Sequence, residues 1–84
     1  MKKSTISREA MKNVFTMYLN VKYLREKNNL STSQLAEIIQ IDERKLIESE
    51  KCINTGYFYD THIKRVCEYF NVNANDLFTR ALRN

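Results

Sequence analysis

No proline occurs in the 84 residues, and Gly56 is the only glycine. A β-rich fold needs many tight turns, and those turns draw on glycine and proline for their backbone angles. The two shortages argue against a sandwich or barrel and for short helices joined by caps built on Asn and Ser. Histidine occurs once, at His62, and cysteine twice, at Cys52 and Cys67. Two cysteines are too few for a disulfide framework, and a reducing compartment keeps them as thiols. His62 and Cys67 would fall on different faces of a helix, and neither a CxxC nor an HxxxH spacing occurs, so no metal and no cofactor is expected. No apolar run reaches membrane length; the longest patch (Ile38, Ile39, Ile41) is only core-sized. The basic start, Met1-Lys2-Lys3-Ser4-Thr5, leads into no apolar stretch. No secretory signal is therefore expected, and a cytoplasmic location is.

What is present is charge, unevenly placed. The formal net charge is +4. Lys2, Lys3, Arg8, Lys12, Lys22, Arg25 and Lys27 crowd the first third, and Arg80 and Arg83 lie near the end. Between them the chain turns acidic: Glu37, Asp42, Glu43, Glu48, Glu50 and Asp60 outnumber Arg44, Lys45 and Lys51. A basic surface fits a polyanion partner, although a charged face is often only a solvated one.

The length allows one domain, residues 1–84, with one modest core. The first helix is expected to begin near Ser7 and to be long. Its apolar residues form one stripe at Val14, Met17, Val21 and Leu24 and a second at Met11, Phe15 and Tyr18. The second stripe fits either a contact with another copy of the chain or a core that wraps further around the helix. Asn28-Asn29 ends this helix, because Asn tolerates the left-handed conformation. Ser31-Thr32-Ser33-Gln34 reads as a capping box opening a second helix with Leu35, Ala36, Ile38 and Ile39. That helix breaks near Gln40, and Asp42 is the expected N-cap of a third helix. A polar and aromatic loop follows, ending in Tyr57-Phe58-Tyr59. Asp60 or Thr61 should cap a fourth helix with Ile63, Val66, Cys67 and Phe70 facing inward. Asn73 to Asp76 opens a short fifth helix carrying Leu77, Phe78 and Leu82.

Two short helices joined by a tight turn, the second presented outward, make a helix-turn-helix, here at about residues 31–50. Leu35, Ile39, Ile41 and Leu46 must share one core, which fixes the crossing of the two helices, and Ala36 is small where they pass closely. With these residues in view, the chain from Val21 to Phe78 resembles the Cro/repressor-type helix-turn-helix (Xre) family. The residues that carry the resemblance are Leu24-Arg25-Glu26, Leu30-Ser31, Leu35-Ala36, Ile41, Leu46 and Glu50, followed by Ile63, Val66-Cys67, Phe70-Asn71-Val72 and Asp76-Leu77-Phe78. The resemblance implies an all-α, lambda-repressor-like five-helix bundle with a central helix-turn-helix and an extended N-terminal helix, of prokaryotic or phage type. It implies sequence-specific binding of double-stranded DNA as a transcriptional regulator, more a repressor than an activator, working as a homodimer.

By the same resemblance, Arg25 and Glu50 pair between the first and third helices. Ser31, Thr32 and Ser33 at the start of the second helix face the DNA backbone. Glu43, Arg44, Ile47 and Glu48 lie nearest the base edges, with Arg44 the guanine reader and Lys45 a phosphate contact. Lys51 and Asn54 meet the backbone after the third helix. Candidate dimer contacts are Phe15 and Tyr18 on the first helix and Phe78 and Leu82 at the fifth.

The chain departs from the family pattern at three places. Gln40 and Cys52 stand where the family has glycine, and Ser49 stands where it has an apolar residue. The recognition segment is also acidic, although DNA affinity comes mainly from neutralised phosphates. An alternative function is therefore a degenerate helix-turn-helix that binds protein, as an adaptor or an antitoxin- or phage-type inhibitor, with Tyr57, Phe58 and Tyr59 at the interface. No nucleophile with its base can be assembled from the sequence, so an enzyme is not expected.

Overall fold

The computed structural model describes residues 8–53 and 56–82, with side chains from residue 12 onward. It is all-α: α1 (Arg8–Lys27), α2 (Thr32–Ile39), α3 (Glu43–Glu50), α4 (Asp60–Phe70) and α5 (Ala74–Thr79), with no strand among the described residues. The expected Ser7 cap lies outside those residues, as does the side chain of Met11.

Four of the five helices end the same way, and the scarcity of glycine makes the device visible. Asn29, Gln40, Cys52 and Asn71 follow α1, α2, α3 and α4 with φ of 58°, 61°, 58° and 58°. After each, an apolar residue turns back and donates its amide to a carbonyl five positions earlier. These bonds run from Leu30 to Arg25, Ile41 to Ala36, Ile53 to Glu48 and Val72 to Cys67, all at 2.9 to 3.0 Å. This is the Schellman closure, usually built on glycine, here built on residues with side chains. The breaks expected at Asn28-Asn29 and Gln40 are where the sequence placed them. Gly56 is not among the residues with positive φ.

Helix starts follow the sequence less evenly. Ser31 and Gln34 form the expected reciprocal box: the Gln34 amide donates to Ser31 Oγ at 3.0 Å, and the Ser31 amide to Gln34 Oε1 at 2.8 Å. Asp42 occupies the N-cap of α3 but makes no side-chain cap bond. The cap of α4 is Tyr59 rather than Asp60 or Thr61, because His62 reaches back and accepts the Tyr59 amide on Nδ1 at 2.9 Å. Asn73 caps α5 by accepting from the Asn75 amide, and α5 ends at Thr79, short of Leu82.

All five helices feed one core: Met17, Tyr18, Val21 and Leu24 from α1, Leu35, Ala36 and Ile39 from α2, Leu46 from α3, Val66 from α4 and Leu77 from α5. Ile41, Ile63, Cys67, Phe70, Phe78 and Leu82 pack against it half-buried. Tyr18, expected among the dimer candidates, is 1 % exposed and belongs to this core. Its ring meets Phe58 edge-on at 5.2 Å. Burial raises the Tyr18 phenol above its usual pKa, opposed by hydrogen bonds with the Phe58 backbone and the Ser49 side chain. The second stripe of α1 is thus covered, in part, by the chain's own loop.

Two buried polar residues find their partners in the backbone, one across helices and one within its own. Asn20 on α1 is 3 % exposed. Its Nδ2 donates to the carbonyls of Leu77 and Arg80, each at 2.7 Å, and its Oδ1 accepts from the Leu82 amide at 3.0 Å. One side chain therefore satisfies the open end of α5, where orphan carbonyls would otherwise need water. Ser49 is fully buried and donates to the Lys45 carbonyl at 2.8 Å, which explains how a hydroxyl is tolerated where an apolar residue was expected.

Candidate functional site

The sequence-derived site residues converge on α2, α3 and the segments flanking them. α2 and α3 are joined by three residues, Gln40, Ile41 and Asp42. Leu35, Ile39 and Leu46 are fully buried beneath the pair. The position of α3 is fixed from behind by Arg25. Its Nε donates to Glu50 Oε2 at 2.7 Å and its Nη2 to Glu50 Oε1 at 2.9 Å, while Nη1 closes on the Leu30 carbonyl at 2.8 Å. Side-chain exposures of 13 % and 6 % make this a largely desolvated fork, and the Glu50 bond is the first cause of a raised Arg25 pKa. A pair of this kind fixes register more than it adds stability.

With Leu46, Ser49 and Glu50 turned inward, α3 leaves Glu43, Arg44 and Lys45 exposed, Ile47 and Glu48 half-buried, and Lys51 exposed just beyond. Ser31 and Ser33 are exposed at the start of α2, with Thr32 half-buried. Asn54 lies outside the described residues. The structure thus brings the described site candidates to the α2 start and the outer side of α3, but it also ties several of them to one another. Thr32 Oγ1 donates to Glu43 Oε2 at 2.7 Å, joining the first residue of α2 to the first of α3. Arg44 Nη1 donates to Glu48 Oε2 at 3.2 Å. The Tyr57 hydroxyl donates to Glu48 Oε1 at 2.7 Å, and Lys45 Nζ stands 5.6 Å from the centre of the Tyr57 ring. The bond to Glu48 is the largest cause of a raised Tyr57 pKa, and the Tyr57 hydroxyl is the largest cause of a raised Arg44 pKa.

The three aromatic residues of the loop do three different things. Tyr57 holds the α3 charges, Phe58 packs on the core against Tyr18, and Tyr59 is 69 % exposed and stacks on His62. A cleft of about 280 Å³ separates the α2–α3 turn from the start of α4, with Gln40, Asp42, Lys45, Tyr57, Tyr59 and His62 on its walls. Burial and the charge of Arg65 hold His62 below its usual pKa, against a hydrogen bond with the Gln40 backbone that favours the charged form. A larger groove of about 540 Å³ runs along α4 over Ile63, Cys67, Val72 and Ala74, and none of the sequence-derived site residues lines it. Both thiols are half-buried, and burial raises the pKa of each. Among the described residues no cluster of His, Cys, Asp or Glu could hold a metal ion, and no helix is long and apolar enough to cross a membrane.

Reading the sequence alone did not find Asn20, the Thr32–Glu43 bond or the link from Tyr57 to Glu48. Each joins polar residues through tertiary placement, and polar residues of that kind leave no periodic trace. No protein-family model matches the chain, and no curated protein or solved structure matches it either.

Proposed function

We propose that α2 and α3 are a helix-turn-helix of the Cro/repressor type and that the chain binds double-stranded DNA as a sequence-specific regulator, more a repressor than an activator. The observation that carries the proposal is the presentation of α3. It is an eight-residue helix clamped from behind by the Arg25–Glu50 fork, three residues after α2, with Arg44, Lys45 and Lys51 turned to solvent. The start of α2 stands beside it through the Thr32–Glu43 bond. A helix held rigidly by its inner face and carrying long cationic side chains on its outer face suits the major groove.

The homodimer belongs to the same proposal. With Tyr18 in the core, the remaining candidates are half-buried Phe15 on α1, with exposed Leu19 one turn on, and half-buried Phe78 and Leu82.

The test is a salt series of binding to random duplex DNA, comparing the parent with the Arg44→Ala plus Lys45→Ala variant. Binding that weakens with salt and drops in the double variant is the expected result. No binding even at low salt would sink the regulator reading.

One observation favours a second reading, a helix-turn-helix that binds protein. Glu48 and Tyr57 already engage both Arg44 and Lys45, so the outer side of α3 presents balanced charge rather than a cationic stripe.

A further inference from the structure

We infer that Glu48 and Tyr57 set the DNA selectivity of α3: in the free chain they occupy Arg44 and Lys45, and only a duplex able to displace them gains both cations. The inference rests on the DNA-binding reading above and adds to it the residues that restrain that binding.

The geometry makes Glu48 a divider. One carboxylate oxygen accepts from the Tyr57 hydroxyl at 2.7 Å, the other from Arg44 at 3.2 Å. Tyr57 then reaches the second cation, its ring 5.6 Å from Lys45 Nζ. Glu48 is held because it is only 27 % exposed, whereas the Arg44 side chain is 67 % exposed and can swing outward. An exposed ion pair contributes little to folding, but it changes what a polyanion meets. A cation already beside a carboxylate is a poorer phosphate ligand, since phosphate binding draws on unneutralised charge and released counterions. A random duplex is held mainly through its phosphates. A duplex presenting guanine to Arg44 and a cytosine amine to Glu48 satisfies both partners after they separate. The acid thus works as a discriminator, costing every ligand the pair and returning it only to the right base edges.

The experiment measures binding of a random-sequence duplex by fluorescence anisotropy across a salt series, with thermal melting of each variant as the check on folding. Glu48→Gln keeps the side-chain shape and an acceptor for Tyr57 while removing the charge. It should tighten binding at least roughly threefold at low salt and steepen the salt slope by about 0.9, one additional phosphate contact. Tyr57→Leu, which removes both the hydroxyl and the ring beside Lys45, should move binding in the same direction. In an Arg44→Gln background the gain from Glu48→Gln should disappear. A parent that binds while Glu48→Gln gains nothing, or gains as much without Arg44, overturns the inference and leaves the DNA-binding reading standing. Binding by the Glu48→Gln variant but not by the parent overturns the regulator reading of the chain, and the inference with it. No binding by the parent or either single variant overturns both.

Discussion

Gln40 holds a full side chain at φ 61°, a conformation that costs a residue with a Cβ roughly 1 kcal/mol relative to glycine. The side chain is exposed and the closure is made by the backbone, from the Ile41 amide to the Ala36 carbonyl. Gln40→Gly should therefore raise the unfolding free energy by about 0.5–1 kcal/mol, read from urea denaturation. An unchanged or lower midpoint would mean that the turn is relaxed with its side chain in place. Cys52 is a poorer position for the same change, because it also packs half-buried on the core. The Arg25–Glu50 fork gives the opposite kind of prediction. Arg25→Ala leaves the Glu50 carboxylate buried without its partner and should cost about 3 kcal/mol, whereas Arg25→Met with Glu50→Leu should fall near the parent. If the double variant is as unstable as the single one, the charges contribute more than register.

At the scale of elements, α4 is docked through its first turn. His62 must be neutral on Nδ1 to accept the Tyr59 amide, and a proton there removes that acceptor. Its folded-state pKa lies below the ordinary 6.5, so the unfolded chain binds this proton more readily than the folded one. The contribution is whole above pH 6.5 and is lost as the pH falls from there through the folded value. Melting temperatures should decline over that window, and a His62→Gln variant, which keeps an acceptor but does not titrate, should lose that part of the decline. α5 depends on Asn20 in a similar way. Asn20→Leu leaves the Leu77 and Arg80 carbonyls and the Leu82 amide without their partner, at a cost of about 1–3 kcal/mol. Amide hydrogen exchange at Leu82 should accelerate more than exchange in α2. The end of α1 was legible because Asn before an apolar residue is a local signal, and Ser31 with Gln34 was legible for the same reason. The caps at Tyr59 and Asn20 were not, since Tyr and His are not the residue types of a capping box and Asn20 acts from another helix.

For the whole molecule, the core could be read from the sequence, because Met17, Val21 and Leu24 on α1 and Leu35 and Ile39 on α2 recur at helical spacing and all five are buried. The Arg25–Glu50 pair was expected only through resemblance, and nothing in spacing alone would have matched residues 25 apart. The candidate site was legible as a list of residues but not as an arrangement, because acids counted as a uniform field prove to be committed one by one, Glu43 to Thr32 and Glu48 to Arg44 and Tyr57. The extra stripe on α1 was half accounted for by Tyr18 meeting Phe58. If the other half serves the proposed homodimer, Leu19→Lys should shift sedimentation toward the monomer while changing stability by less than about 0.5 kcal/mol, as expected of a surface position.

The three bonds of Asn20 also bear on how the chain reaches its fold. They span 57, 60 and 62 positions, so α1 waits for partners made that many residues later. Helices α2 and α3 can meet across a three-residue connection within a local search, but the face of α1 that carries Asn20 closes only after α5 has left the ribosome. Loop closure over such a span is slow beside helix formation. Until then α1 presents Met17, Val21 and Leu24 uncovered in part, and that interval is when the nascent chain has most need of a chaperone.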